Sequence, residues 1–278
     1  MKKFYMIIFL GLVVACAPQK QSDEFWIKNK QNEQLYVRVD YPYHTPNQKL
    51  VFIEHGLASN LNHQVVETLK KAFLDNHYTV ITFDTRYALG LSGNNVKFAR
   101  LSTYEEDLET IISWAKTQPF YHEPFALSGH SLGGAAVFQY SARNPDIVDI
   151  LVPVTPVISG DLWEASCMKN MTDFCKTWQQ KGFFEYTDSK NHKTAVIPYQ
   201  IVSDTKSYNA YNIASKINAR TLLIAAENDH VIAPLDLKKL SQAIKTNGNE
   251  ITVKSSSHNF EKLQSRLDLY RTVSQFIN

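Results

Sequence analysis

A serine hydroxyl is a poor nucleophile at neutral pH unless a base takes its proton, and a histidine base needs a carboxylate to fix its tautomer. The chain carries these three residue types in a suggestive order. Ser131 lies in PFALSGHSLGG (124–134), with Gly129 two residues before it and Gly133 and Gly134 two and three after. Asp229 follows the apolar run TLLIAA in TLLIAAENDHVIAP, and His258 follows ITVK in ITVKSSSHNF. A Ser, Asp, His order with each residue just past an apolar run is that of nucleophilic acyl transfer at the ends of parallel strands. Gly-His-Ser-Leu-Gly is a G-x-S-x-G turn, in which small neighbours relieve a strained backbone and lift the hydroxyl above a sheet. The segment after it, AAVFQYSAR, reads as a helix whose N-terminal N–H groups favour negative charge at the site.

The elements that must position these residues alternate along the chain. QLYVRV (34–39) has the period of a half-buried strand, and with WIKN before it forms a hairpin. LVFIE (50–54), TVITF (79–83), the run before Ser131, VDILVPV (148–154), TLLIAA (221–226) and ITVK (251–254) read as strand runs. Helical segments fall between them, at 65–75 and at 104–117, the latter with Ser102 or Thr103 as its cap, and LDLYRTVSQFI closes the chain. Such alternation predicts an α/β fold with a mostly parallel central sheet covered by helices on both faces. From 157 to 218 the alternation stops, and an aromatic-rich stretch is expected to form a helical cap over the C-terminal edge of the sheet.

The pattern resembles the α/β-hydrolase-fold serine hydrolases from about Phe25 to the C-terminus, and looks closest to bacterial esterase-like and monoacylglycerol-lipase-like members. EHGLASN after the early strand and GHSLGG carry this resemblance, together with AENDHVIAP and SSSHNF. It implies that Leu57, after His55-Gly56, and Leu132, after the nucleophile, supply the two oxyanion-hole N–H groups, with Gly129, Gly133, His55 and Gly56 supporting the turn and the oxyanion loop. FDTRYALGLSG is similar to the family's Asp-x-Arg-Gly signature, with Tyr87 in place of the glycine. His55 could also be a base, though the family implies a brace. Glu227 and Asp204 are rival acids and His230 a rival base, while His130 is read as structural or substrate-facing. His63, His77, His122 and His192 are read as surface residues.

At the N-terminus, Lys2 and Lys3 precede an apolar run from Phe4 to Ala15. As a helix it would span about 18 Å, short of the roughly 30 Å hydrocarbon core, so it reads as a signal peptide. Val13-Val14-Ala15-Cys16 resembles the lipobox of bacterial lipoproteins, which implies lipidation of Cys16 and a membrane anchor. The expected organisation is a signal peptide at 1–15, a polar tether at 16–24 and the hydrolase domain at 25–278. Such a protein is exported and anchored to the cell envelope, with Ala17 tilting the expectation toward the outer membrane. Cys167 and Cys175 are then either a disulfide or two buried thiols.

With 29 basic against 27 acidic residues there is no basic stripe, which argues against nucleic acid. No metal-ligand spacing or phosphate loop occurs, and no cofactor is implied. The expected activity is cleavage of a small-molecule or lipid ester through an acyl-enzyme. The same triad also suits an amidase, a peptidase or an acyltransferase, and the fold could serve a non-catalytic surface binder.

Overall fold

The computed structural model describes residues 22–42, 49–93, 95–188, 192–244 and 248–278. The signal peptide and Cys16 lie outside these residues. Strands β1 (Ser22–Lys28) and β2 (Gln34–Asp40) form the expected hairpin, which begins earlier than expected. Ser22 to Glu24, assigned by sequence to the tether, already pair with Asp40 to Arg38. β3 (Lys49–Glu54), α1 (Gln64–Asp75), β4 (Tyr78–Phe83), α2 (Leu101–Ala115), β5 (Phe125–His130), α3 (Leu132–Arg143) and β6 (Val148–Val154) follow in α/β alternation. After the cap come β9 (Arg220–Ala226), α8 (Pro234–Ala243), β10 (Gly248–Val253) and α9 (Leu263–Ile277).

These strands form one eight-stranded sheet in the order β1-β2-β4-β3-β5-β6-β9-β10, parallel from β4 to β10 and antiparallel at the hairpin edge. The apolar strand runs are explained by burial on both faces. Alternate residues of β3 divide between two cores, Leu50 and Phe52 facing α2 and α3 while Val51 and Ile53 face α1 and α9. α2 starts at Leu101, where the Arg100 N–H donates to the Thr103 hydroxyl at 3.0 Å and the Thr103 N–H donates to the Arg100 carbonyl at 3.1 Å. Thr103 is therefore the third helical residue rather than the cap.

The insert between β6 and β9 is not purely helical. It holds α4 (Gly160–Asn170), α5 (Thr172–Lys181), a two-stranded hairpin of β7 (Phe183–Thr187) and β8 (Thr194–Pro198), then α6 (Gln200–Thr205) and α7 (Ala210–Ile213). Trp178 is its centre, packed edge-on against Phe184 and Tyr199 and donating Nε1–H to the carbonyl of Ile197 at 3.0 Å. The cap aromatics thus form the cap's own core. Cys167 on α4 and Cys175 on α5 are joined as a disulfide, with Cα atoms 5.9 Å apart. Among the described residues no helix is long and apolar enough to cross a membrane.

Candidate active site

Ser131 stands between β5 and α3 with φ 54° and ψ −115°, a conformation that costs an L-residue of order 1–3 kcal/mol and persists only when its surroundings hold it. They do so through the backbone. The Ser131 N–H donates to the carbonyl of Val154 at 3.0 Å, and the Ser131 carbonyl accepts from Val157 and Ala135, both at 3.1 Å. The glycines let the helix start lie directly on the strand ends. A Cβ on Gly129 would meet the carbonyl of Gly133, and one on Gly133 would run into the carbonyls of Glu54 and His55.

The three widely separated candidates converge. Ser131 Oγ lies 2.9 Å from His258 Nε2, and His258 Nδ1 lies 2.8 Å from Asp229 Oδ2. Asp229 is buried, and its second oxygen accepts the N–H groups of Val231 and Ile232 at 2.8 and 2.9 Å, which locks the carboxylate in place. Because an ionised carboxylate only accepts, the histidine proton belongs on Nδ1, and the Nε2 lone pair faces the serine. Ser131 is itself only 8% exposed.

The rivals are elsewhere. Glu227 is taken up by Lys254 and by the Ser255 N–H, and Asp204 pairs with Arg100 at the cap margin. The exposed His230 presents its carbonyl to Ser166 and Asn170 of α4, which ties the cap to the loop that carries Asp229.

His55 is fully buried with both ring nitrogens occupied. Nδ1 lies 2.7 Å from the Gly56 carbonyl, and Nε2 accepts the Thr85 N–H at 3.1 Å. Burial lowers its pKa, so it stays neutral and has no free nitrogen for base chemistry. Gly56 approaches the nucleophile so closely that an added Cβ would lie 3.2 Å from Ser131 Cβ. Leu57 follows Gly56 directly in the chain, while Leu132, as the first helical residue, has an N–H without an intrahelical acceptor. Asp84 and Arg86 of the FDTR segment brace this architecture. Asp84 accepts the Leu61 and Leu91 N–H groups at 2.8 and 2.6 Å, and Arg86 binds Asp107 of α2 through its backbone N–H and Nε. Burial raises the Asp107 carboxyl to about 7 despite Arg86 pulling it down.

Two histidines had more to do than their sequence positions revealed. His130 is buried, and its Nε2 lies 3.0 Å from the backbone carbonyl of His258. Its burial, reinforced by neighbouring histidines, depresses its pKa well below the ordinary value, so Nε2 carries the proton of a neutral ring and donates it. His63, expected at the surface, is half-buried and stacks on His130 with centroids 5.3 Å apart, besides capping α1. No sequence signal marks that stack, which depends on the fold bringing the start of α1 to the end of β5. His77 and His192 are exposed and His122 is half-buried. Among the described residues no group of three or more His, Cys, Asp or Glu side chains could hold a metal ion.

The chain is similar to a protein of Escherichia coli described as "Uncharacterized 31.7 kDa protein in traX-finO intergenic region", at 23% identity over 73% of this chain and 80% of that one. Its structure is similar to that of Est1E from Butyrivibrio proteoclasticus bound to ferulic acid, with a TM-score of 0.72, 16% identity, and 91% of this chain and 97% of that chain covered. The esterase domain of a Rhodothermus marinus protein superposes with a TM-score of 0.66 at 18% identity, covering 92% of this chain and 97% of that one. Residues 45–212, more than half of the chain, match the family model Hydrolase_4, described as serine aminopeptidase, S33. The chain belongs to this family and is an α/β-hydrolase-fold serine hydrolase.

Proposed function

We propose that the protein is a carboxylic ester hydrolase that works through Ser131, His258 and Asp229. The observation that carries this reading is the unbroken relay from Ser131 Oγ through His258 to Asp229, at 2.9 and 2.8 Å. Ser131 Oγ attacks the acyl carbonyl carbon as its proton passes to His258 Nε2, and Asp229 stabilises the imidazolium. The carbonyl oxygen gains the negative charge and is bound by the N–H groups of Leu57 and Leu132. Collapse breaks the bond to the leaving alkoxide, which takes the proton from His258 to depart as an alcohol. Water then gives its proton to His258, attacks the acyl-enzyme and releases the acid and Ser131.

Structural likeness to two esterases supports the ester reading, one of them solved with ferulic acid, an aromatic carboxylic acid. The description of the matched family favours a second reading, hydrolysis of a peptide or amide bond. Turnover of an ester and an amide of the same acyl group separates the two. Ester cleavage exceeding amide cleavage by orders of magnitude supports the first, and comparable or faster amide cleavage overturns it. A lipid anchor on Cys16 completes the proposal. β1 starts with Ser22 opposite Asp40, and Asp40 opposite Val80, at the end of the sheet remote from Ser131. The residues from 16 to 21 reach at most about 20 Å. Radiolabelled palmitate incorporated into wild type but not into Cys16→Ala tests the anchor.

A further inference from the structure

The carbonyl of Gly56 accepts two hydrogen bonds from buried side chains that belong to no part of the triad. One comes from His55 Nδ1 at 2.7 Å, and the other from the hydroxyl of Tyr104, on the first turn of α2, at 2.9 Å. The His55 proton is committed to this bond because Nε2 accepts the Thr85 N–H. Tyr104 is fully buried and packs edge-on against the His55 ring, with centroids 5.7 Å apart. In a trans peptide the C=O of Gly56 and the N–H of Leu57 point in opposite directions. Whatever fixes the carbonyl therefore fixes the N–H as well. Among the described residues the Leu57 N–H has no hydrogen-bond partner, and Gly56 itself lies against Ser131.

We propose that Tyr104 is a positioning residue for the oxyanion hole, its hydroxyl and His55 together setting the plane of the Gly56–Leu57 peptide so that the Leu57 N–H faces the developing oxyanion. The proposal rests on the serine-hydrolase mechanism above and adds a residue to it. Tyr104 can do this because α2 is itself fixed one turn further on, where Asp107 receives both Arg86 bonds. A rigid donor is worth most in the transition state, since it needs no reorganisation as the charge forms. The carbonyl oxygen of the bound substrate is neutral and gains much less from the same N–H. Loss of Tyr104's hydroxyl should therefore lower kcat and leave KM almost unchanged.

The test is Tyr104→Phe, which removes one hydroxyl and keeps the ring. The expected result is a fall of about tenfold in kcat, the value of one hydrogen bond, with KM within about twofold. Affinity for an alkyl boronic acid, whose tetrahedral adduct on Ser131 carries the oxyanion charge, should fall by the same factor, while the pH–rate profile keeps its shape. Wild-type kcat and boronate affinity in a folded Tyr104→Phe protein would overturn the inference. A readout in wild type stands independent of that variant's folding. The Leu57 amide proton should move downfield in the NMR spectrum on boronate binding, and an unmoved resonance overturns the inference. Labelling of wild-type Ser131 by a fluorophosphonate is the control. An unlabelled wild type refutes the serine-hydrolase mechanism, whereas a labelled wild type with an unaffected Tyr104→Phe refutes only the role of Tyr104.

Discussion

Gly133→Ala is the smallest change that should break the site without touching a catalytic side chain. A Cβ at this position would lie 2.7 Å from the carbonyl oxygen of Glu54, and closer still to that of His55, against an ordinary contact distance of 3.4 Å. Both neighbours are backbone at the end of β3, which is locked between β4 and β5, so they cannot swing aside. The start of α3 must instead retreat by about 1 Å, the difference between 3.4 Å and the 2.4 Å that separates such a Cβ from the His55 carbonyl oxygen. Leu132, the adjacent residue, moves with it. An oxyanion donor works at roughly 2.7–3.1 Å, and a retreat of this size takes the N–H beyond hydrogen-bond reach. Removal of one such donor costs about 10²- to 10³-fold in kcat, and overpacking adds about 1–3 kcal/mol of lost stability. Ester hydrolysis at saturating substrate, with thermal melting alongside, reads both effects. A Gly133→Ala protein with wild-type kcat and melting temperature would refute the steric account of the turn.

Further predictions concern groups beside the triad. Glu54 is fully buried with neither oxygen hydrogen-bonded, and desolvation, helped by Asp107 and Glu105, raises its pKa well above 4.5. As pH rises from there, the unfolded chain loses this proton before the folded one does, so stability falls until the raised folded-state pKa is passed. Glu54→Gln should therefore melt higher than wild type, by a margin that grows as pH rises above 4.5; a constant margin refutes the assignment. His130→Phe keeps a ring against His63 but removes the bond to the His258 carbonyl, leaving only Thr155 Oγ1 at 3.4 Å. Its kcat should fall about tenfold with KM nearly constant, and an unchanged kcat argues that the loop holds His258 unaided. Replacing both Cys167 and Cys175 by Ser opens a loop with a sequence separation of 8, worth about 2.5 kcal/mol in the chain-entropy estimate. Limited proteolysis should then cut the cap sooner, and an equal cleavage rate would show that the aromatic cluster alone suffices.

Much of this architecture was legible in the sequence because its signals are local. Fully apolar runs such as LVFIE and TVITF mark strands buried on both faces, and the glycines around Ser131 mark a helix start pressed onto a strand end. Asp229 and His258 were legible for a related reason, as each lies a few residues past the C-terminal end of a strand, β9 and β10. The cap was harder. Its aromatics announce a core but not its form, and FFEYT paired with TAVIP makes a hairpin where helices alone were expected. The contacts that finish the site are less visible still. Tyr104 on Gly56, His130 on the His258 carbonyl and His63 on His130 join residues 48, 128 and 67 positions apart, and no periodicity encodes such meetings. They follow from topology, once a parallel sheet gathers the C-terminal ends of its strands at one edge.

Labelling with a fluorophosphonate, mapped by mass spectrometry, tests the central claim most directly, since the reagent captures a serine only where base and oxyanion hole act together. The account predicts a single adduct on Ser131 in the folded wild-type protein, and labelling slowed by orders of magnitude in His258→Ala. An adduct on another residue, or His258→Ala labelled at the wild-type rate, would contradict it.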